Sequence, residues 1–273
     1  MKILKTLTLT ALLIAYCAQS AASLIVTPTR VTFESRDRVK EVILINPSDV
    51  TRQYKLEWVE QKRDENNGYS VLSDAQAQNF AIASPYIRFS PRRVTLQPGE
   101  SQKVKLLARR RSEMTMPEYR SHLKFTALPP SLTESNDDES SGMQLKLNLL
   151  LSYTIPVVLR TVKTNVSVDI DKISFTPPSA ENETPQALVF LTREGDSSAY
   201  GNLTLFHREN SNAPYEPVGY SNGLNIFHEE KNSQRAIAWT EKPYSVGGEL
   251  KVVYQGVEEM KGAFYAEKVL AFF

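Results

Sequence analysis

Alternation of apolar and polar residues along the chain is the feature that most constrains its fold. It is clear at 54–59 and 102–107, and it is longest at 143–159, where all nine odd positions are apolar. Successive side chains of a β-strand point to opposite faces, so this period predicts half-buried strands. Gly, Pro and Asn separate the runs at about ten-residue spacings, a pattern typical of β-sandwiches. The sequence therefore predicts an all-β protein, with one short helical stretch at 74–80.

The first 22 residues have the pattern of a secretory signal peptide. Residues 1–5 contain two lysines and no acid, residues 7–16 are mostly apolar, and small residues precede the expected cleavage after Ala22. Cys17, the single cysteine, lies inside this segment and follows a tyrosine, so we expect no lipid anchor. The mature chain then contains no cysteine and folds by core packing without disulfides.

Composition and charge suggest two domains of opposite sign. The 273 residues, 41% hydrophobic and 23% charged, are enough for two separate cores. Residues 23–160 carry 20 Lys and Arg against 16 Asp and Glu, a net charge of +4, whereas 161–273 carry 10 against 15, a net charge of −5. We therefore expect an N-terminal domain at 23–160, which is the half suited to meeting an anion, and a C-terminal β-sandwich domain at 161–273. The overall net charge of +1 gives no indication of nucleic-acid binding.

Motifs for catalysis, cofactors or metals are missing from the sequence. His122, His207 and His228 lie in different predicted segments without metal-ligand spacing. Neither a nucleophile elbow nor a phosphate-binding loop occurs. The sequence accordingly predicts a protein that is not an enzyme and that has no metal, no cofactor and no small-molecule substrate.

The long alternating segment contains more apolar positions than a half-buried strand requires. Leu145, Leu147, Leu149 and Leu151 would form an apolar ridge about 20 Å long on one face of a strand. A core strand explains 153–159 best. For the leucines, a partner-binding role competes with a core role, because an exposed ridge invites another chain to cover it. Burying four leucines is worth about 6–12 kcal/mol, enough to drive strand addition.

Three further segments accompany this strand: TRVTF at 29–33, VILINP at 42–47 and FSPRRVTLQPGESQKV at 89–104. Together they resemble the PapD-like periplasmic pilus chaperones of the chaperone/usher pathway, over residues 24–160. The resemblance implies two immunoglobulin-like β-sandwich domains at an angle, a periplasmic location and no enzymatic activity. Such chaperones bind pilus or fimbrial subunits by donor-strand complementation, lending a strand to the subunit, and deliver them to an outer-membrane usher.

Two site assignments follow from this resemblance. Arg30 matches the cleft arginine that binds the C-terminal carboxylate of the subunit, and a guanidinium suits that task because it can clamp a carboxylate bidentately. It is therefore expected to matter for binding and little for folding. The alternating leucines match the donated strand. The second anchor of the family, a lysine, aligns with Pro156, so the missing charge is expected from Arg88, Arg92 or Arg93. This departure looks like the archaic branch of the family.

Two other functions remain compatible with the residues. An exported immunoglobulin-like envelope or adhesion protein would share every strand but would not need an exposed leucine ridge. A secreted hydrolase with a β-sandwich fold would need an acid pair or metal cluster, and none can be identified in the sequence.

Overall fold

The computed structural model describes residues 24–64, 68–129, 151–179 and 183–271. Within these ranges the chain is almost entirely β, which confirms the predicted fold class. The predicted signal peptide lies outside the described residues. None of the described helices has the length and apolar character of a bilayer-spanning segment.

The N-terminal sandwich consists of two packed antiparallel-rich sheets. One has the order β1-β3-β9-β7 and the other the order β2-β11-β10-β4-β8, while β5 and β6 form a separate hairpin. The elements are β1 (Ile25–Thr27), β2 (Val31–Phe33), β3 (Val39–Ile45), β4 (Arg52–Val59), β5 (Gln61–Arg63), β6 (Tyr69–Val71), α1 (Asp74–Ala77), β7 (Ile87–Ser90), β8 (Arg93–Leu96), β9 (Ser101–Ala108), β10 (Glu118–Ala127) and β11 (Ser152–Arg160).

The C-terminal sandwich is built in the same way from seven described strands. Its sheets have the orders β12-β13-β16 and β15-β14-β17-β18. The elements are β12 (Val166–Thr176), β13 (Gln186–Gly195), β14 (Ala199–Arg208), β15 (Glu216–Ile226), β16 (Asn232–Ala238), β17 (Glu249–Gly256), a 3₁₀ turn (Glu258–Met260) and β18 (Phe264–Ala271).

Each sandwich buries its own hydrophobic core. The first core comprises residues between Leu24 and Leu159, and the second comprises residues between Val168 and Ala266. Alternation decides which side chains enter them: Val42 and Leu44 of β3 are fully buried, whereas the residues between and beside them are not.

Asn46 connects the Asn-Pro motif at 46–47 with the Pro-Gly motif at 98–99. Its buried side-chain amide donates hydrogen bonds to the carbonyl oxygens of Leu96 (3.0 Å) and Gln97 (3.1 Å). The backbone carbonyl oxygen of Asn46 accepts a hydrogen bond from the backbone N–H of Gly99 (2.9 Å), which has φ of +72°, a conformation that favours glycine. The side chain and the backbone of Asn46 together therefore tie the end of β3 to the turn before β9.

The tyrosine of β10 forms a corner found in immunoglobulin-like sandwiches. The Tyr119 hydroxyl accepts hydrogen bonds from the backbone N–H groups of Thr115 (2.9 Å) and Met116 (3.0 Å). A tyrosine near the start of this strand, bonded to the backbone a few residues upstream, is a hallmark of these domains. It fixes the connection that leads from β9 into β10.

The described part of the strand predicted at 143–159 begins later than alternation predicts at its N-terminal end. It begins at Ser152, so Leu151 lies just before it and not within it, and residues 143–150 lie outside the described residues. Ile155, Val157 and Leu159 enter the core as alternation predicts. Arg160 and Val158, on the opposite face, are also fully buried, because the second sandwich covers that face.

Candidate functional site: the interface between the sandwiches

The outer face of the β2-β11-β10-β4-β8 sheet carries polar residues that the C-terminal sandwich covers. On β10, Tyr119 and Leu123 belong to the core, whereas Arg120 and His122 alternate with them and lie on the other face. Arg120 is 5% exposed and His122 is 2% exposed. Period-two alternation thus places these side chains on a face buried between the two domains instead of in solvent.

Arg160 joins the sandwiches near the end of β11. Its Nε donates to Glu118 Oε2 (3.0 Å), its Nη1 donates to Glu34 Oε1 (2.7 Å), and its Nη2 donates to the carbonyl oxygen of Ser198 in the C-terminal sandwich (3.3 Å). The backbone N–H of Ser198 donates in turn to Glu118 Oε2 (3.1 Å), and its hydroxyl donates to Glu118 Oε1. Arg160 and Glu118 are fully buried, so the pair is completed by contacts from both domains.

Glu118 stays ionised in this setting although it is buried. Burial alone would raise its pKa, but the nearby His228 ring, 3.7 Å away, and the charges of Arg160 and Arg30 outweigh burial and lower the pKa to about 2. A charged carboxylate inside the interface is therefore the stable form at neutral pH.

Two further arginines of the N-terminal sandwich contact carboxylates of the C-terminal one. Arg120 forms an ion pair with Glu229 and lies 3.8 Å from the ring centroid of Phe227. Arg63, at the end of β5, donates to the carbonyl oxygen of Asn225 (2.6 Å) and faces Glu230 at 3.6 Å. Both arginine side chains are at most 5% exposed.

Arg30, the predicted carboxylate anchor, lies at the same interface and already has a carboxylate partner. Its Nε donates to Glu259 Oε1 (2.9 Å), its Nη1 donates to Asn225 Oδ1, and its guanidinium lies 4.9 Å from the ring centroid of Tyr200. These three partners all belong to the C-terminal sandwich. Arg30 is 2% exposed and paired across the interface, so these contacts argue for an additional role in holding the domains together. That Arg30 matters for binding and little for folding stays a prediction.

The opposite net charges of the two halves are matched across this interface. Arg30, Arg63 and Arg120 come from the N-terminal half, and the carboxylates that they face, Glu259, Glu230 and Glu229, come from the C-terminal half. The anion that the basic half was expected to meet is thus supplied in part by the same chain.

Pro156 lies beside Arg30 on the neighbouring strand. Strand β2 runs parallel to β11 with Val31 opposite Val157, so the residues that precede each of them, Arg30 and Pro156, come next in that register. On the other side Pro156 is opposite His122 of β10. Burial and then the charge of Arg120 lower the pKa of His122 to about 3, so this ring is neutral and does not replace the missing lysine.

The other predicted cations lie away from this interface. Arg88, Arg92 and Arg93 are exposed, and β7, which carries Arg88, is at the opposite edge of its sheet from β1. Arg92 lies 5.7 Å from the ring centroid of Phe89. In the described part of the chain none of the three contacts Arg30, and a role for them in binding a carboxylate stays a prediction.

Of the four leucines of the predicted donor ridge, the structure describes only Leu151. Leu151 is 43% exposed, and Leu145, Leu147 and Leu149 lie outside the described residues. Directly after Leu151, residues 152–156 of β11 pair with β10 on one side, and β2 pairs only with Val157, Val158 and Leu159 on the other. Among the described residues, the first half of β11 therefore has an open edge.

Sequence reasoning missed most of the interface. The sequence analysis did not single out Arg63, Arg120 or Arg160, nor the acid pairs at 229–230 and 258–259. A usable signal was the combination of a basic half and an acidic half in one chain. Within the described ranges, His, Cys, Asp and Glu side chains form no group of three that could hold a metal ion.

Comparison with known proteins assigns the family. The family described as "Pili and flagellar-assembly chaperone, PapD N-terminal domain" matches residues 23–161, just over half of the chain. No curated protein matches. Solved structures similar to the chain include the YadV chaperone, with 12% identity over 91% of this chain and 100% of that chain and a TM-score of 0.46.

Two other similar structures come from Acinetobacter baumannii and Pseudomonas aeruginosa. The CsuC-CsuE chaperone-tip adhesion subunit pre-assembly complex of archaic Csu pili from Acinetobacter baumannii has 12% identity, covers 91% of this chain and 97% of that chain, and has a TM-score of 0.42. The CupB2 chaperone of Pseudomonas aeruginosa has 11% identity, covers 91% and 99%, and has a TM-score of 0.43. The family match, which spans the whole N-terminal sandwich, carries the assignment: this chain belongs to the pili and flagellar-assembly chaperones of the PapD family.

Proposed function

We propose that this chain is a periplasmic chaperone that binds pilus or fimbrial subunits by donor-strand complementation and delivers them to an outer-membrane usher. Family membership supports the chaperone role, and such chaperones are not enzymes. Some structures similar to this chain are chaperone-tip adhesin complexes, which supports a pilus subunit as the partner. The departure at Pro156 leaves the archaic branch as our proposal for its place in the family.

The observation that carries this proposal is the open edge of β11. Within the part of the chain that the structure describes, residues 152–156 have a strand partner on one side only, and a strand with unpaired N–H and C=O groups is a template for an added strand. Pro156 fits such a position, because proline has no N–H to donate and is confined to sheet edges and bulges. The exposed Leu151 leads from this edge into the alternating leucines.

The proposal is tested by substituting residues on the two faces of the donated strand, because only one face is expected to contact the subunit. Leu147→Glu and Leu149→Glu would each place a carboxylate in the apolar groove of a subunit, at a cost of several kcal/mol if it stays charged and unpaired. Lys146→Glu changes the opposite face and is the matched control, because side chains one residue apart point to opposite sides. Each variant is co-expressed with its pilus subunit, and the soluble complex is quantified.

We expect both leucine variants to lose the complex and Lys146→Glu to retain it. Thermal melts of the free variants complete the experiment. If the leucine variants melt far below wild type in the absence of any subunit, the leucines belong to the core of the chaperone and the donor-strand proposal is wrong.

A further inference from the structure

A cavity lined by arginines lies at one end of the N-terminal sandwich, where the turn between β2 and β3 meets the end of β9. It has a volume of about 640 Å³. The residues that line it are Ser35, Arg36, Arg38, Ala108, Arg109 and Arg110. Sites for small ligands usually have volumes of about 300–1,000 Å³, so this arginine cavity is large enough for more than a single small ion.

Hydrogen bonds hold the two segments of the arginine cavity together. The backbone N–H of Ala108 donates to the carbonyl oxygen of Arg38 (2.9 Å). The side chain of Arg110 donates to two further carbonyl oxygens of the turn, that of Asp37 from Nη1 (2.5 Å) and that of Glu34 from Nη2. The fold therefore positions the cavity without the help of a ligand.

The carboxylates of the two segments already pair with other cations. These ion pairs are Glu34 with Arg160 (2.7 Å), Asp37 with Lys40 (2.8 Å) and Glu113 with Arg111 (3.3 Å). Among the described residues, no carboxylate lines the cavity, and Arg36, Arg38 and Arg109 form no ion pair. Three exposed guanidinium groups thus line one cavity without a compensating negative charge.

Arg110 adds a fourth positive charge that is only partly compensated. Burial lowers the pKa of its guanidinium, and the nearby charges of Asp37 and Glu34 do not fully offset this effect. Arginine still stays protonated at neutral pH. An anion in the cavity would therefore stabilise the charged form of Arg110 as well as the three exposed arginines.

A phosphate group suits this lining better than a carboxylate. A guanidinium can bind phosphate through two parallel hydrogen bonds, and a phosphate monoester offers three strong acceptor oxygens and more charge than a carboxylate. Several arginines can therefore share one phosphate, and the hydroxyl of Ser35 can donate a further hydrogen bond. Four cations in a cavity of this volume favour a ligand with more than one phosphate group.

We propose that the arginine cavity binds the phosphate groups of a ligand that carries more than one of them, with Arg36, Arg38 and Arg109 as the contacts and Arg110 as the residue that positions the two segments. The cavity contains none of the residues assigned above to subunit binding, so this site does not depend on the proposed function. A phospholipid surface and a soluble polyphosphate compound both present such groups.

Calorimetric titration with sodium tripolyphosphate tests the site. In the double variant Arg36→Gln with Arg109→Gln, one exposed arginine is lost from each segment, and neither has an ion pair in the described part of the chain. We expect the double variant to bind tripolyphosphate at least about tenfold more weakly than wild type, because hydrogen bonds between charged groups are lost. Arg38→Gln is measured in the same way if the double variant does not fold.

The matched control removes the same charge elsewhere. Lys172→Gln with Lys231→Gln changes two exposed cations of the C-terminal sandwich, and binding should stay within about twofold of wild type. Tetraglutamate is the control ligand for negative charge alone, and we expect it to bind at least about tenfold more weakly than tripolyphosphate.

Sedimentation with vesicles separates the two sources of phosphate. Val39 and Leu107 are 51% and 44% exposed and pair across β3 and β9 next to the cavity segments, so vesicles of phosphatidylglycerol and phosphatidylcholine are a suitable probe. Binding that tripolyphosphate inhibits and that Arg36→Gln with Arg109→Gln abolishes assigns the lipid headgroup as the ligand. Tripolyphosphate binding without vesicle binding assigns a soluble compound.

Three results would overturn the proposal. The first is that neither tripolyphosphate nor the anionic vesicles bind to wild type. The second is an equal loss of binding in the arginine and lysine double variants, which would show that net charge and not the cavity attracts the ligand. The third is that tetraglutamate binds as tightly as tripolyphosphate, which would indicate an acidic protein segment instead of a phosphate ligand.

Discussion

Removing the charge of Glu118 tests whether the buried ion pair with Arg160 sets the stability of the protein. In Glu118→Gln the shape of the side chain is kept, while Arg160 retains only the Glu34 carboxylate, whose side chain is 41% exposed. Breaking a buried pair by neutralising one partner costs about 3–5 kcal/mol, because the remaining charge stays buried without full compensation.

The pKa of Glu118 gives a second estimate of the same quantity. A fall from the ordinary value of 4.5 to about 2 corresponds to about 3 kcal/mol, at about 1.4 kcal/mol per pKa unit. Because the pKa is lower in the folded state, this stabilisation is complete above pH 4.5 and is lost as the pH falls towards 2. Both free-energy values correspond to a melting temperature of Glu118→Gln about 10 °C below that of wild type at neutral pH.

Urea unfolding of wild type and Glu118→Gln between pH 7 and pH 2 measures this contribution. We expect a difference in unfolding free energy of about 3–5 kcal/mol at pH 7 that shrinks steadily below pH 4.5. Glu113→Gln is the matched control, since Glu113 pairs with Arg111 on the surface with both side chains more than half exposed. Its effect should stay below about 0.5 kcal/mol.

A difference that stays constant down to pH 2 would refute this reasoning, because the ionised form of Glu118 would then not be the source of the stabilisation. So would a difference below 1 kcal/mol at pH 7. Replacing both partners, in Arg160→Met with Glu118→Leu, should recover most of the lost stability, since an apolar pair needs no buried charge compensation.

Two further predictions concern the N-terminal sandwich and the mature chain. Asn46→Ala should lower the unfolding free energy by about 2–3 kcal/mol, because the buried carbonyl oxygens of Leu96 and Gln97 lose their donor. Ser48→Ala, at a partly exposed site, should lower it by less than about 1 kcal/mol. Equal losses in urea titrations of the two variants would contradict the role given to Asn46. Reducing agent should leave the melting temperature of the exported protein unchanged, and a drop of several degrees would show that Cys17 is retained.

How much of the fold and site could be read from the sequence depends on the range of the interaction. Strand alternation acts between neighbours, so it predicted the all-β fold and the core positions Ile155, Val157 and Leu159, all of which are buried. The same rule accounts for the position of Arg160 on the opposite face of the strand. The family motifs indicated Arg30 as a site residue because they lie within short segments of the chain.

Tertiary structure alone decided what covers the polar face. Arg120 and Arg160 look like solvated charges in the sequence, and they are buried because a second sandwich packs against their side of the sheet. Arg30 and Glu259 are 229 residues apart in the sequence, and no local pattern predicts that they form an ion pair. Alternation determines which residues share a face, but the free energy of burying that face depends on partners from distant segments, which only the folded chain brings together.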